Sequence, residues 1–332
     1  MKAVQLSAYN RNVLRALLSL SVIEKATPKI HKDEVLVKMH ASSCNPSDIA
    51  FIQGGYNIIK SLPTVPGFEG SGVVVETGSD VKELIDKKVS CFIQDNIDGT
   101  WAEYFRVKKE NLIVLEEKMN LDQAACFSVN PFTAYALLLI AEKRNSKSII
   151  QNAAGGQVAE LVRQLSKFRN LETINIVRKK ETAERLKTEG IKYVLCEQDK
   201  DFPITLKNLA TELNACIAFD AVGGPSSGTI IDAMPHDSEL IVYGGLSNKP
   251  ISDINTMEII FKNKVISGFN LLDWKNNVGN HDYMKIANKL QKMFIDEKLK
   301  TNIQDSINME NIIQGLKTYL GNMSKGKILI KP

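Results

Sequence analysis

The chain runs to 332 residues with 44% hydrophobic and 24% charged side chains, a globular composition that excludes disorder as the main state and, at roughly 150 residues per domain, predicts about two domains. Its 42 Lys and Arg against 38 Asp and Glu leave a formal net charge of +4, too small and too evenly spread for a nucleic-acid or membrane-surface partner, while a small anionic ligand stays open. The five cysteines, Cys44, Cys91, Cys126, Cys196 and Cys216, are scattered and form no CxxC pair; they show neither a disulfide framework nor a zinc knuckle and fit a reducing cytoplasm.

The first six residues go straight into alternation, so no targeting segment is expected. Residues 34–40 alternate with period two, and 71–78 form a β-branched run bounded by glycines; both read as strands, punctuated by Pro63, Pro66, Gly67 and Gly70. Residues 124–141 carry no charge and are long enough to invite a membrane reading. Ser128, Asn130, Thr133 and Tyr135 argue against it, and the Asn130-Pro131 step predicts a break between two shorter buried helices. After about Leu115 the texture changes. Strands over 148–150, 173–177, 215–220 and 240–245, the last ending in a turn, alternate with amphipathic helices over 158–168 and 181–189. Helices over 283–299 and 311–320 and a strand over 327–330 close the chain, with no internal repeat. The alternation predicts an α/β protein with a parallel, doubly wound sheet.

Within it, residues 149–159 read as strand, small-residue turn and helix start, so that Gly155, Gly156, Gln157 and Val158 present helix amides to a pyrophosphate. Gln157 and Ala159 occupy the later glycine places of GxGxxG, and an ordinary tight βα turn reads equally well from spacing alone. At the end of the following strand, where an NAD site places an acid, stand Arg178, Lys179 and Lys180. A guanidinium there suits a 2′-phosphate and so points to NADPH; the alternative is a solvated basic helix start.

Six segments, in this order and spacing, carry a family resemblance: Asn45-Pro46-Ser47-Asp48, Leu62-Pro63-Thr64-Val65-Pro66-Gly67-Phe68-Glu69-Gly70, Gly99-Thr100-Trp101, Val129-Asn130-Pro131-Phe132-Thr133-Ala134-Tyr135, Gln151-Asn152-Ala153-Ala154 and Thr173-Ile174-Asn175-Ile176-Val177-Arg178. Over nearly its whole length the chain resembles the zinc-independent medium-chain dehydrogenases/reductases, in particular the enoyl-thioester reductase branch with its quinone oxidoreductase relatives. The resemblance implies a GroES-like β-barrel catalytic domain of residues 1–115 and 270–332, a Rossmann NADPH-binding domain of residues 116–269, and an active site in the cleft. No metal is expected. Asn45 and Phe68 stand where the metal-dependent branch has cysteine and histidine ligands, and neither supplies a thiolate or an imidazole nitrogen. His31, His40, His236 and His281 are dispersed and read as surface or strand residues.

The same resemblance implies that Tyr56, shortly before Leu62-Pro63, is the catalytic residue, donating to the enolate oxygen that develops when hydride reaches the β-carbon of an enoyl thioester. It implies cofactor contacts at Asn45, Asn130 and Thr133, at Gly155, Gly156, Gln157 and Val158, at Arg178 and Lys179, at Tyr243, Gly244 and Gly245, at Phe269, Asn270 and Leu271, and at Lys327 with Lys325 as its rival. Two departures stand out: Gln157, where the family has Gly or Ala, and Asn270, where the eukaryotic enoyl reductases tend to have Trp. The expected activity is NADPH-dependent reduction of an activated C=C bond, favouring a 2-enoyl thioester. Reduction of a quinone or enone, and nucleotide binding with little catalysis, are the alternatives. A homodimer joined through an edge strand over 264–269 is also implied.

Overall fold

The computed structural model describes all 332 residues, in two compact units: Met1–Phe132 with His281–Pro332, and Thr133–Asn280. The chain passes from the first to the second within helix Asn130–Lys143 and returns at the start of helix Asn280–Ile295.

The first unit opens with an antiparallel hairpin of β1 (Lys2–Leu6) and β2 (Leu20–Glu24). There follow β3 (Glu34–Ser43), β4 (Glu69–Thr77), β5 (Lys88–Phe92), β6 (Tyr104–Lys108) and β7 (Leu112–Val114). The second unit holds β8 (Ser148–Gln151), β9 (Glu172–Val177), β10 (Tyr193–Cys196), β11 (Ile217–Asp220), β12 (Glu239–Val242) and β13 (Val265–Gly268). Last come β14 (Ile303–Asn308) and β15 (Lys327–Lys331), which rejoin the first sheet in the order β14-β15-β3-β4-β5-β7, with β6 on β3. β14 has no counterpart in the sequence reading. Its run Ile-Gln-Asp-Ser-Ile-Asn is polar and half-exposed because it is an edge strand with little to bury.

The core of this unit gathers Phe51, Phe68, Trp101 and Phe105, all essentially buried. Gly67 lies against Trp101 at φ +99, where a Cβ would come within 2.4 Å of the indole, so both the backbone angle and the space require glycine.

The charge-free stretch 124–141 is a helix, a break and a helix, but the break is not at Asn130-Pro131. A short helix, Leu121–Ala124, gives way to turns, and the long helix then begins at Asn130 with Pro131 in its first turn. Proline is tolerated there because its missing N–H would have had no intrahelical partner. No helix of the chain is long and apolar enough to cross a membrane.

In the second unit every strand pair is parallel, in the order β10-β9-β8-β11-β12-β13. Numbered within the unit this is 3-2-1-4-5-6, the doubly wound order whose ligand crevice lies where the winding reverses, here between β8 and β11. Period-two alternation along β9 supplies both faces: Ile174 and Ile176 pack with helices Phe202–Glu212 and Pro225–Ala233, and Val177 with helix Lys180–Thr188.

Candidate active site

In the first unit, β3 delivers Ser42, Ser43 and Cys44 to the start of helix Pro46–Ile52, for which Asn45 is the cap. Asp48, at the third helical position, accepts from the Asn45 backbone N–H at 2.7 Å and from the Phe68 N–H at 2.9 Å. Burial nonetheless pushes its carboxyl up to about 6, with those two amides pulling the other way.

The Asn45 side chain is used at both ends. Its Nδ2 donates to Glu69 Oε2 at 3.1 Å and to Ser43 Oγ at 3.3 Å, while its Oδ1 accepts from Lys327 Nζ. Lys327 also donates to the Cys44 carbonyl at 3.2 Å and is almost fully buried. The other Glu69 oxygen accepts the Val129 N–H at 2.8 Å, fixing the approach to Asn130. Burial raises the Glu69 carboxyl, and the Lys327 ammonium is the first of the groups that oppose this. A carboxylate and an ammonium thus bracket a neutral amide. Nowhere do three His, Cys, Asp or Glu side chains converge as a metal site requires.

Tyr56 lies in the loop that follows this helix. Its ring packs on Phe68 at 5.3 Å between centroids, and its hydroxyl accepts from Gln94 Nε2 at 3.0 Å. Burial raises the phenol, the Gln94 bond lowers it and the Asp48 charge raises it further. The same loop carries Lys60, whose buried ammonium lies over the rings of Phe51 and Phe68 and donates to the Ile97 carbonyl at 2.6 Å. Burial holds it down to about 8, against the attraction of Asp98, Asp48 and Asp95. Neither Gln94 nor Lys60 is marked in the sequence, because their partners lie 38 and 37 positions away in loops without periodicity.

In the second unit, β8 ends at Gln151 and the turn Asn152 to Gly156 leads into helix Gln157–Lys167. Gly156 caps this helix without a side-chain bond, and Ala153 sits at φ +47. Below the turn, buried Arg163 donates to the Ala154 carbonyl at 2.6 Å and to Asn175 Oδ1 at 3.2 Å, and pairs with Glu160. Across the switch point, Asn152 Nδ2 donates to Asp220 Oδ1 at 2.6 Å and its Oδ1 accepts the Ala221 N–H at 2.8 Å. Asp220 Oδ1 also takes the Val222 and Gly223 N–H groups, and its backbone carbonyl takes those of Tyr243 and Gly244. One aspartate thereby ties together the ends of β8, β11 and β12. The sequence signal for it was an acid at a strand end just before Ala-Val-Gly-Gly.

Arg178 and Lys179 follow the last residue of β9, both exposed and without an ion pair, and no acid stands in their place. Gln157 is the first residue of its helix and nearly buried. Phe269 donates to the Val242 carbonyl at 2.8 Å, and Asn270 spends its Oδ1 on the Leu272 and Asp273 amides as a helix cap. Thr133 is buried in helix Asn130–Lys143.

A switch point with a helix start free of side-chain caps, basic residues after the second strand and three strand ends tied by one aspartate defines a dinucleotide-binding class of protein. The Alcohol dehydrogenase GroES-like domain family matches residues 31–117. The mitochondrial enoyl-[acyl-carrier-protein] reductase of Rattus norvegicus is 33% identical over 298 residues, covering 88% of this chain and 79% of that protein. Among solved structures, a Mesorhizobium loti protein assigned as an NADPH:quinone reductase superposes with a TM-score of 0.93 at 30% identity, covering 100% of this chain and 98% of its own. A mutant form of enoyl thioester reductase from Candida tropicalis shares the fold, with a TM-score of 0.78 at 24% identity and coverage of 100% and 99%. The chain belongs to the medium-chain dehydrogenase/reductase superfamily, in its branch of enoyl-thioester reductases and quinone oxidoreductases.

Proposed function

We propose that this chain is an oxidoreductase that uses NADPH to reduce an activated C=C bond, with a 2-enoyl thioester as the favoured substrate and without zinc. The observation that carries this reading is Tyr56, half-buried, with its hydroxyl accepting from Gln94 and so keeping its own proton to give. Its similarity to an enoyl reductase over 88% of the chain supports the same substrate class.

NADPH would be held by the 155–158 turn, by Arg178 and Lys179 at the 2′-phosphate and by residues 243–245 and 269–271, with Asn130 and Thr133 serving the nicotinamide. When bound, it supplies a hydride to the β-carbon of the enoyl group. The electron pair of the C=C bond then moves toward the thioester carbonyl, and the Tyr56 O–H donates to the oxygen where that charge collects. Asn45 and Lys327, bonded to each other, with Asn45 also on Glu69 and Lys327 on the Cys44 carbonyl, shape the floor of the first-unit site rather than offering loose donors. Their chemistry supports the zinc-free reading, since an ammonium occupies the surroundings of the amide that replaces a cysteine ligand.

Residues 116–269 serve as the NADPH-binding domain in this reading, and 1–115 with 270–332 as the catalytic one. A homodimer through β13 is supported by its place at the sheet edge and by exposed Met257, Ile260, Phe261 and Val265 on and before it. The five free cysteines support a reducing, cytoplasmic setting, although the enoyl reductases it is similar to are mitochondrial.

The similarity to the Mesorhizobium loti protein favours a second reading, reduction of a quinone or enone, which requires no side-chain acid. Steady-state NADPH oxidation with crotonyl thioesters, quinones and enones decides. Turnover of the thioester well above the others supports the first reading, and turnover of quinones alone replaces it with the second.

A further inference from the structure

Gln94 follows β5 in a segment anchored on both sides. Before it, the Ile93 N–H donates to the Phe68 carbonyl at 2.7 Å. After it, Asp95 accepts from Asn111 Nδ2 at 2.9 Å, Asp98 Oδ1 takes the Val65 N–H at 3.0 Å, and Asp98 pairs with Lys25. The Tyr56 loop is fixed as firmly. The Tyr9 hydroxyl accepts the Lys60 N–H and donates to the Lys60 carbonyl, both at 2.9 Å, and Lys60 Nζ reaches the Ile97 carbonyl beside Gln94. Among the bonds that join these two secured loops is one in which an amide N–H points at a phenol oxygen.

That polarity has chemical consequences. A phenol oxygen that accepts from Gln94 has one lone pair occupied, which turns its O–H away from the amide. If the roles were reversed, the proton would be consumed inside the protein. As the proton leaves, Oη becomes a phenolate, and the same N–H becomes a charge-assisted bond, stronger than the neutral one it replaces. The other charged groups near the phenol do not supply this help: Asp48 opposes the phenolate, and Lys60 directs its ammonium to the Ile97 carbonyl across the Phe68 ring.

We infer that Gln94 is the positioning residue of Tyr56, aiming its O–H outward and stabilising Oη as the O–H bond breaks and the proton passes to the substrate enolate oxygen. Water then reprotonates the phenolate, leaving hydroxide, and the enol tautomerises to the saturated thioester by taking a proton at Cα from solvent while its O–H proton neutralises that hydroxide. The inference rests on the enoyl-thioester reading above and deepens it.

The test uses the full-length enzyme and three readouts. Gln94→Met removes the donor at nearly constant volume, and Gln94→Glu places an acceptor there that would turn the phenol inward. In Gln94→Met, kcat on crotonyl thioester should fall about tenfold, the scale of one hydrogen bond, and in Gln94→Glu further. In a Tyr56→Phe background the Gln94→Met change should be less than twofold. Ultraviolet titration of Tyr56, isolated as the difference from Tyr56→Phe, should move upward in both Gln94 variants. An equal loss from Gln94→Met in both backgrounds, or an unmoved Tyr56 titration, overturns the inference. Crotonyl turnover indifferent to Tyr56→Phe alone overturns the substrate reading instead, while the titration, which needs no substrate, still decides whether Gln94 governs the phenol.

Discussion

In the first unit the polar cluster is made by side chains buried against one another, with Lys327 reaching back 282 positions to Asn45 and Glu69 holding both Asn45 and the Val129 amide. In the second, the turn before helix Gln157–Lys167 is backbone and small residues, and Arg178 and Lys179, proposed above to meet the cofactor, lie in water. The first arrangement fixes a few atoms tightly and depends on the ionisation of buried groups. The second offers many weak donors, each replaceable. Chemistry at a reacting atom profits from the former and recognition of a long, flexible cofactor from the latter.

The sharpest way to break this contrast is Tyr56→Phe, which removes one oxygen from the first unit. We expect kcat on crotonyl thioester to fall about 10² to 10⁴-fold with NADPH affinity and quinone reduction largely retained, the range for a positioned proton donor. Equal loss of both activities would make Tyr56 a packing residue.

The next largest effect concerns Lys60 and pH. Its ammonium is held down to about 8 in the folded chain against 10.5 when unperturbed, so the folded state binds its proton less tightly than the unfolded state. The cost is complete below pH 8 and fades as the pH rises to 10.5. Wild type should therefore gain on the order of 3 kcal/mol relative to Lys60→Met across that window, at 1.36 kcal/mol for each pH unit. Denaturant midpoints of the two proteins at both ends of the window check it. A constant difference would mean that the ammonium is better solvated than its burial states.

In the second unit, Arg178→Ala should cost about 1.5–3 kcal/mol of NADPH binding, the scale of hydrogen bonds to a charged group, with NADH kinetics nearly unchanged. Isothermal titration with each cofactor reads it, and wild-type enzyme that used both equally would remove the basis for NADPH. The smallest change is Gln157→Gly. It should tighten NADPH by roughly 0.5–1 kcal/mol, no more than one ordinary hydrogen bond, by clearing the approach to the pyrophosphate. Weaker binding would make the Gln157 amide itself a phosphate ligand.

The doubly wound sheet was legible because β8, β9 and β11 are short, largely buried runs centred on apolar residues and alternating with charged helices, a pattern forced by burial on both faces. Local chemistry also marked the Gly155-Gly156 turn and the basic pair after β9. β14 escaped because an edge strand buries too little to impose a pattern, and the break before Asn130 escaped because proline marks either the interruption of a helix or its first turn. Gln94 and Lys60 were silent for another reason. Each acquires its role from a partner in a different loop or strand end, and a single polar residue carries no record of what the fold will set beside it.

The place of Lys327 in the last strand also has a consequence for synthesis on the ribosome. Residues 133–280 emerge as one uninterrupted stretch and can complete their sheet as soon as β13 is clear. Residues 1–132, made earlier, wait with β3 lacking its partner β15 and with Glu69 and Asn45 lacking the ammonium that β15 brings. The middle of the chain can therefore finish before its beginning, and the nascent first unit leaves the Ser42–Ser43 end of β3 unpaired until β15 arrives, an interval in which a chaperone has most to protect.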